Sequence, residues 1–224
     1  MSRLGSRFVG IFGGTFDPIH YGHLRIAEEL VETLNLREMR FIPAGAPRLR
    51  TPPIASPYHR TAMVQAAIQS NAHFILDERE VHRPGPNYSV DTVRELRLEM
   101  GEDVTLCLVM GADAFMKLAE WHDWHDLFSL CHIIIAARPG HDLTTRLDSL
   151  PQVLREESTH RWVHSLADLE SAPCGLIYIA PTTLLDISAT VIRALISAQS
   201  NARYLLPDAV LDYIETNHLY SGEE

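Results

Sequence analysis

Cysteine is scarce: three in 224 residues, Cys107, Cys131 and Cys174, odd in number and widely spaced. That excludes a disulfide framework or a cysteine metal site and fits a reducing compartment, the cytoplasm, with all three thiols structural. Long apolar runs are missing too. Nothing approaches the ~20 residues that cross a bilayer, so no membrane partner is expected. The opening stretch MSRLGSRFVGIFGG has too short an apolar segment for a signal peptide and no cleavage-site pattern. Positive charge is short as well: the formal net charge is −10. A general nucleic-acid binder needs a basic field, so nucleic acid is not expected as a partner. A polyphosphate ligand would have to be held by local groups: backbone N–H donors, a few arginines, histidines and a metal ion carried in by the nucleotide. There is no internal repeat, no low-complexity segment, no P-loop G-K-[ST] and no G-x-G-x-x-G fingerprint. What remains, 46% hydrophobic and 21% charged residues, is the composition of an ordinary globular protein with one substantial core.

The pattern that is present alternates. RFVGIFGG is a short apolar run ending in glycine and reads as a buried strand. YGHLRIAEELVETLNL follows, with Leu24, Ala27, Leu30, Val31 and Leu34 at helical spacing. MRFIP is a second strand, stopped by Pro43. SPYHRTAMVQAAIQS is a helix with Ser56 at the N-cap and Pro57 at the first helical position. FILDE, VTLCLVMG, CHIIIAARPG and GLIYIAP give strands three to six, with the helix SVDTVRELRLEM after the third. SATVIRALISAQ and DAVLDYIETN are C-terminal helices. Strands apolar on both faces, alternating with helices, predict an α/β fold: a parallel sheet covered on both sides. Right-handed crossovers then bring the strand C-termini to one edge, where ligands bind. Residues 141–173, polar and weakly periodic, read as a surface excursion rather than a second domain.

Two stretches carry chemistry. In GIFGGTFDPIHYGHLRIAEEL, Gly13 and Gly14 read as a sharp turn that lets a ligand approach bare backbone, although a plain tight turn would look the same. His20 and His23 put two imidazoles on one side of a helical turn. Both can donate to a phosphate oxygen and gain positive charge as negative charge builds there. The helix N-terminus adds its own partial positive charge. No Cys or His partner stands at zinc spacing, so no protein-held metal is expected. A capping histidine beside a half-exposed one is the structural alternative. Gly22 removes a side chain that would block a ligand lying on this turn. In PTTLLDISATVIRALI, Asp186 or Ser188 caps the next helix, Ser188 and Thr190 bring hydroxyls to its tip, and Arg193 is a fixed cation on the same face. That set suits the outer phosphates of a nucleotide. A capped amphipathic helix with a surface arginine would show the same residues.

GGTFDPIHYGHL matches the T/H-x-G-H signature of the nucleotidylyltransferase superfamily, and DISATVIR resembles its second signature, I-S-x-T-x-x-R. NYSVDTVRELR, VMGADAFMKLAEWHDW and YLLPDAVLDYIETNHLY are similar to the bacterial nicotinate-nucleotide adenylyltransferase branch, so the resemblance runs from Phe8 to Tyr220. It implies a Rossmann-like, doubly wound sheet with C-terminal helices, with residues 1–224 as one nucleotidylyltransferase domain. It implies transfer of the adenylyl group of ATP to nicotinate mononucleotide, giving nicotinate adenine dinucleotide and pyrophosphate in NAD biosynthesis. The attack is in line, without a covalent enzyme intermediate. By resemblance, His20, His23 and Arg193 are the catalytic set, joined in holding ATP by Gly13, Gly14, Thr15, Phe16, Ile187, Ser188 and Thr190. On the acceptor side, Trp121 resembles the aromatic that stacks on the pyridine ring. The main chain at Thr92 and His122 would meet the nicotinate carboxylate, Asp113 lies near the ribose and Arg50 near the acceptor phosphate. Mg²⁺ arrives with ATP rather than in a protein cage. Assembly as a homo-oligomer is left open.

One stretch departs from the family. After the second strand the family often reads Pro-Pro-His-Lys or Pro-Pro-His-Arg behind an asparagine; here the stretch is PAGAPRLR. Ala44 stands where asparagine is common and Leu49 replaces the histidine, while Arg50 keeps the basic position and Arg48 adds another. Arg138 is a further candidate cation, and Trp124 reads as core. Two rivals stand beside this reading. One is a transferase of the same superfamily with phosphopantetheine or another phosphorylated acceptor; such sequences lack the VDT and EWHDW pairing. The other is a non-enzymatic nucleotide-binding module, against which the intact His20, His23 and Arg193 argue.

Overall fold

A computed structural model describes residues 7–46, 52–137, 150–183 and 185–222. Seven strands form one sheet: β1 Phe8–Gly14, β2 Glu38–Pro43, β3 Phe74–Leu76, β4 Thr105–Gly111, β5 His132–Ala137, β6 Trp162–Val163 and β7 Ile177–Pro181, in the order β3-β2-β1-β4-β5-β7-β6. The registers of β1 on β4 (Phe8↔Thr105), β4 on β5 (Cys107↔His132), β5 on β7 (Ile133↔Ile177) and β6 on β7 (Trp162↔Ile177) are all parallel. Parallel neighbours need crossovers, and the helices supply them: α1 Tyr21–Thr33, α2 Pro57–Ile68, α3 Ser89–Met100 and α4 Gln152–Ser158, followed by α5 Ala189–Ser197 and α6 Asp208–Thr216. The order reverses at β1, running 3-2-1 to one side and 4-5-7-6 to the other. In doubly wound sheets ligands gather beyond the strand C-termini where the order reverses. Gly13 and Gly14 are the C-terminus of β1.

The chain divides into two compact units. The first comprises Met1–Phe12, Glu29–Met39 and Tyr88–Thr183. Its core is the run Leu106–Met110 of β4, Ile133–Ile135 of β5, and Leu30, Val31, Leu34, Val93 and Leu96 from the helices. Arg97, at the end of α3, is buried and donates to the carbonyls of Gly101, Val104 and Leu130, which closes the helix C-terminus. His132 is fully buried; its Nδ1 accepts from the Leu176 N–H and its Nε2 lies 3.1 Å from Ala172 O. Cys107 and Cys131 are buried here as free thiols, and burial pushes the Cys131 thiol up to about 12, so it behaves as an inert apolar group.

The second unit comprises Gly13–Glu28, Arg40–Asn87 and Leu184–Glu224. Its core joins Phe16, Ile19, Phe41, Met63, Val64, Ile68, Ile192, Val210 and Ile214. α2 starts as the sequence implies: Pro57 is its first residue and Ser56 Oγ accepts from the His59 N–H at 3.3 Å. α2 packs against α6, where His59 Nδ1 lies 3.0 Å from the Tyr213 hydroxyl.

One expectation needs correction. The part of 141–173 that is described is no surface excursion. Leu150 and Leu154 are buried, and Trp162–Val163 adds a seventh, edge strand to the six read from the sequence. A two-residue strand is too short to show a period, which is why the pattern missed it.

Candidate functional site

Gly13 and Gly14 do not form a turn. Both sit in β1 with ordinary extended backbone, and the left-handed residue is Phe16 at φ 51°. A Cβ on Gly14 would lie 2.7 Å from the Phe16 ring, so this glycine makes room for a buried aromatic, whereas nothing stands within 4 Å of a Cβ on Gly13. Phe16 in turn sets its ring edge-on to His23, with centroids 5.1 Å apart. Under this segment lies Arg60. It is fully buried and donates to four main-chain oxygens: Thr15, Ala44, Gly45 and Ala55, at 2.6–3.2 Å. Ala44 N–H donates to Gly14 O at 2.9 Å. Arg60 therefore bolts the chain after β1 to the chain after β2. Four carbonyl acceptors compensate a desolvated guanidinium without a carboxylate touching it.

His20 is the N-cap of α1: its carbonyl accepts from the N–H groups of His23 and Leu24. The His20 N–H donates to His23 Nδ1 at 3.3 Å, so His23 takes the place a glutamate holds in a capping box. Neutral His23 is thereby the tautomer with its proton on Nε2. The two imidazoles stack at 3.8 Å between centroids. Burial holds the His20 ring down at about 4, so it is neutral at physiological pH. With no anion beside it, the His20 ring is a neutral hydrogen-bonding group. Its Nδ1 is buried with no hydrogen-bond partner among the described residues. A Cβ on Gly22 would come within 2.9 Å of that nitrogen, so bare Gly22 backbone and an unsatisfied imidazole nitrogen share one spot at the helix tip. The Tyr21 N–H is taken by Leu205 O, while the Gly22 N–H meets no described residue.

α5 brings its own N-terminus to this place. Ser188, rather than Asp186, is the N-cap and accepts from the Val191 N–H at 3.2 Å. Ile187 O lies 3.6 Å from the position of a Gly22 Cβ. Thr190 is exposed on the first turn, and Arg193 Nη2 stands 3.5 Å from its hydroxyl. Arg193 Nη1 donates to the main-chain O of Asp17 at 2.6 Å. Residues 20 and 193 thus face the same short segment. Asp17 itself is buried. Its carboxylate accepts from the N–H groups of Ile54 and Ala55 and from the Tyr220 hydroxyl, at 2.9, 3.1 and 2.7 Å.

The acceptor-side candidates Thr92, Asp113, Trp121 and His122 lie in the first unit. Trp121 is half-buried at the end of a 3₁₀ turn, Leu118–Glu120. His122 is exposed, 4.2 Å from the Tyr88 ring between centroids. Trp124, three residues on, is core as expected. Arg94 of α3 pairs with Asp91, Asp123 and Asp126, tying the 121–126 segment to the start of α3. Thr92 is buried, and its main-chain N–H is used inside α3, donating to Tyr88 O at 3.2 Å. Asp113 is exposed in the helical turn Ala112–Phe115 after β4. Arg48, Leu49, Arg50 and Arg138 lie outside the described residues.

Three residues escaped the sequence: Asp17, Arg60 and Tyr220. Arg60 did leave a signal, since it shares the α2 face of Val64 and Ile68 at i, i+4 and i+8, a charged residue on an apolar stripe. Asp17 and Tyr220 are 203 residues apart and left none. Together the two helix tips offer N–H donors, two imidazoles, two hydroxyls and a guanidinium, with exposed Asp186 just before the second tip. That is an anion cradle. Among the described residues no group of three or more His, Cys, Asp or Glu is placed to hold a metal ion.

Comparison with known proteins meets this geometry from another side. A family model described as cytidylyltransferase-like matches residues 11–195. The "Probable nicotinate-nucleotide adenylyltransferase" of Dechloromonas aromatica is 47% identical over 212 residues, covering 95% of this chain and 97% of that protein. The protein of the same name from Methylococcus capsulatus is 44% identical over 214 residues, covering 95% and 99%. Among solved structures, Plasmodium falciparum nicotinic acid mononucleotide adenylyltransferase complexed with NaAD matches with a TM-score of 0.70 at 17% identity, over 96% of this chain and 98% of that one, which shows the doubly wound fold.

Proposed function

This chain belongs to the cytidylyltransferase-like family, and from that premise we propose that it transfers the adenylyl group of ATP to nicotinate mononucleotide. The products are nicotinate adenine dinucleotide and pyrophosphate. Support comes from near-full-length relatives named for this activity and from one structural observation: the buried, unsatisfied His20 Nδ1 beside bare Gly22 at the tip of α1. A phosphate oxygen resting on Gly22 would take the Gly22 N–H and a His20 N–H together, and so satisfy an otherwise costly buried nitrogen.

The chemistry needs no protein nucleophile. The 5′-phosphate of the mononucleotide is ionised at neutral pH; one of its oxygens forms a bond to the α-phosphorus as the bond to the bridging oxygen breaks. Pyrophosphate leaves with that electron pair. Catalysis then rests on placement and on donors for the growing charge. His20 and His23 give N–H donors to the reacting phosphates, Ser188 and Thr190 bring hydroxyls, and Arg193 holds the pyrophosphate side. ATP enters as its Mg²⁺ complex, the ion neutralising phosphate charge. Asp17 has its carboxylate oxygens occupied by Ile54, Ala55 and Tyr220 and is not offered as an ion ligand. For the acceptor, Trp121 stacks on the pyridine ring. Because the Thr92 N–H is used within α3, the nicotinate carboxylate falls to the first-turn N–H groups of Ser89 and Val90 and to His122. Asp113 takes the ribose and Arg50 the acceptor phosphate. No described helix is long and apolar enough to cross a membrane, and a cytoplasmic setting suits the free thiols.

Pyrophosphate release with each acceptor in turn tests the assignment. Nicotinate mononucleotide supports release, its amide analogue supports less, and phosphopantetheine supports none. Release with phosphopantetheine alone, or with no acceptor at all, would overturn it.

A further inference from the structure

The C-terminal NHLY segment carries part of the family resemblance, yet the reaction as described leaves it without a role. The structure gives it one. Tyr220 is buried, and its hydroxyl donates to Asp17 Oδ1 at 2.7 Å, the shortest of the three hydrogen bonds that the carboxylate accepts. Arg193 Nη1 donates to the main-chain oxygen of the same residue at 2.6 Å and makes a loose ion pair with its carboxylate, 3.8 Å from Oδ2, the oxygen that the Ile54 N–H holds. An aspartate this close to a guanidinium in a buried setting has every reason to close into a charge-assisted pair. Here it is held by the amides of Ile54 and Ala55 and by the phenol. A closed pair would cancel the charge of Arg193 and draw its planar fork toward Asp17.

We propose that Tyr220 is a positioning residue of the adenylyl-transfer site: by holding Oδ1 its hydroxyl keeps the Asp17–Arg193 ion pair from closing to hydrogen-bond distance, so that the guanidinium remains available to the phosphates of ATP. The assignment rests on the reaction proposed above. The chain accepts unusual backbone to achieve it, since His218 and Tyr220 both adopt left-handed conformations, at φ 53° and 63°, where bulky residues are rare. The charged groups facing this spot are Asp17, Arg193 and Arg60. Burial, and then Asp17, push the phenol well above its ordinary value, so it remains a donor at every working pH.

The test is a double-mutant cycle with Tyr220→Phe and Arg193→Lys, read in ATP affinity by titration calorimetry and in KM for each substrate. Loss of one hydrogen bond to a charged group predicts that Tyr220→Phe weakens ATP binding about tenfold. The mononucleotide KM stays within about twofold, and the effect on ATP shrinks to about twofold or less in the Arg193→Lys background. Equal weakening of both substrates, or a full effect that persists without Arg193, would assign Tyr220 a merely structural part and overturn the proposal. Calorimetry separates this outcome from failure of the reaction itself: a chain that binds ATP and adenylylates no acceptor loses its proposed function, while the Tyr220 effect is still read in ATP affinity.

Discussion

A single buried imidazole shows how burial chooses between two roles that a sequence leaves equal. A histidine beside a phosphate is usually drawn as a cation. His20 is held neutral by desolvation, with its pKa at about 4, and a hydrogen-bond donor in a dry setting is worth more than the same donor in water. Its contribution is therefore realised as charge shifts onto the phosphate oxygens. His20→Ala should lower kcat by about 10²–10³-fold, the usual loss for one transition-state donor, with a smaller change in ATP affinity. Steady-state kinetics with a fluorescent ATP-binding readout checks this, and unchanged turnover would remove His20 from the reaction. Arg60 is the other instructive residue. It touches no phosphate, yet four carbonyls converge on it from the segments that carry Thr15 and Ala44. A charged group was buried to set main-chain geometry.

Elements were legible in the sequence where they are long or capped. Six strands declare themselves as apolar runs. Pro57 and Ser56 mark the start of α2, and Ser188 marks that of α5. β6 was hidden because two residues make no pattern. The Gly13–Gly14 pair was misread as a turn because glycine signals freedom of backbone, whereas at Gly14 its use is to leave space for the Phe16 ring. In the site, the histidine pair and Arg193 were visible as spaced motifs, while Asp17 with Tyr220 was not, since local periodicity carries nothing about partners two hundred residues away. At this scale His132 makes a stability prediction. Burial lowers its pKa from 6.5 to about 4, and a proton on Nδ1 would set donor against donor at Leu176 N. The unfolded chain thus takes up its proton first as pH falls. The stabilisation is whole above 6.5 and is lost between there and about 4, by about 3 kcal/mol. Urea midpoints from pH 7 to 4.5 should fall more steeply for the native chain than for His132→Asn; parallel slopes would contradict the assignment.

On the scale of the whole molecule, a chain of net charge −10 that binds a substrate as anionic as ATP works against its own average field. Two local devices resolve it. Helix N-termini present N–H groups that carry no formal charge to be cancelled by the acidic surface. Asp17 is turned inward, with its carboxylate shared among three donors, so its pair with Arg193 stays at 3.8 Å rather than closing to hydrogen-bond distance. The proposed reaction requires that ATP bind at the cradle. A crystal structure with a non-hydrolysable ATP analogue measures this directly. It should place triphosphate oxygens within hydrogen-bond distance of Gly22 N, of an imidazole nitrogen of His20 or His23, and of the Arg193 guanidinium. A triphosphate seated elsewhere, with Arg193 bound only to Asp17 and the His20 Nδ1 still unsatisfied, would contradict it.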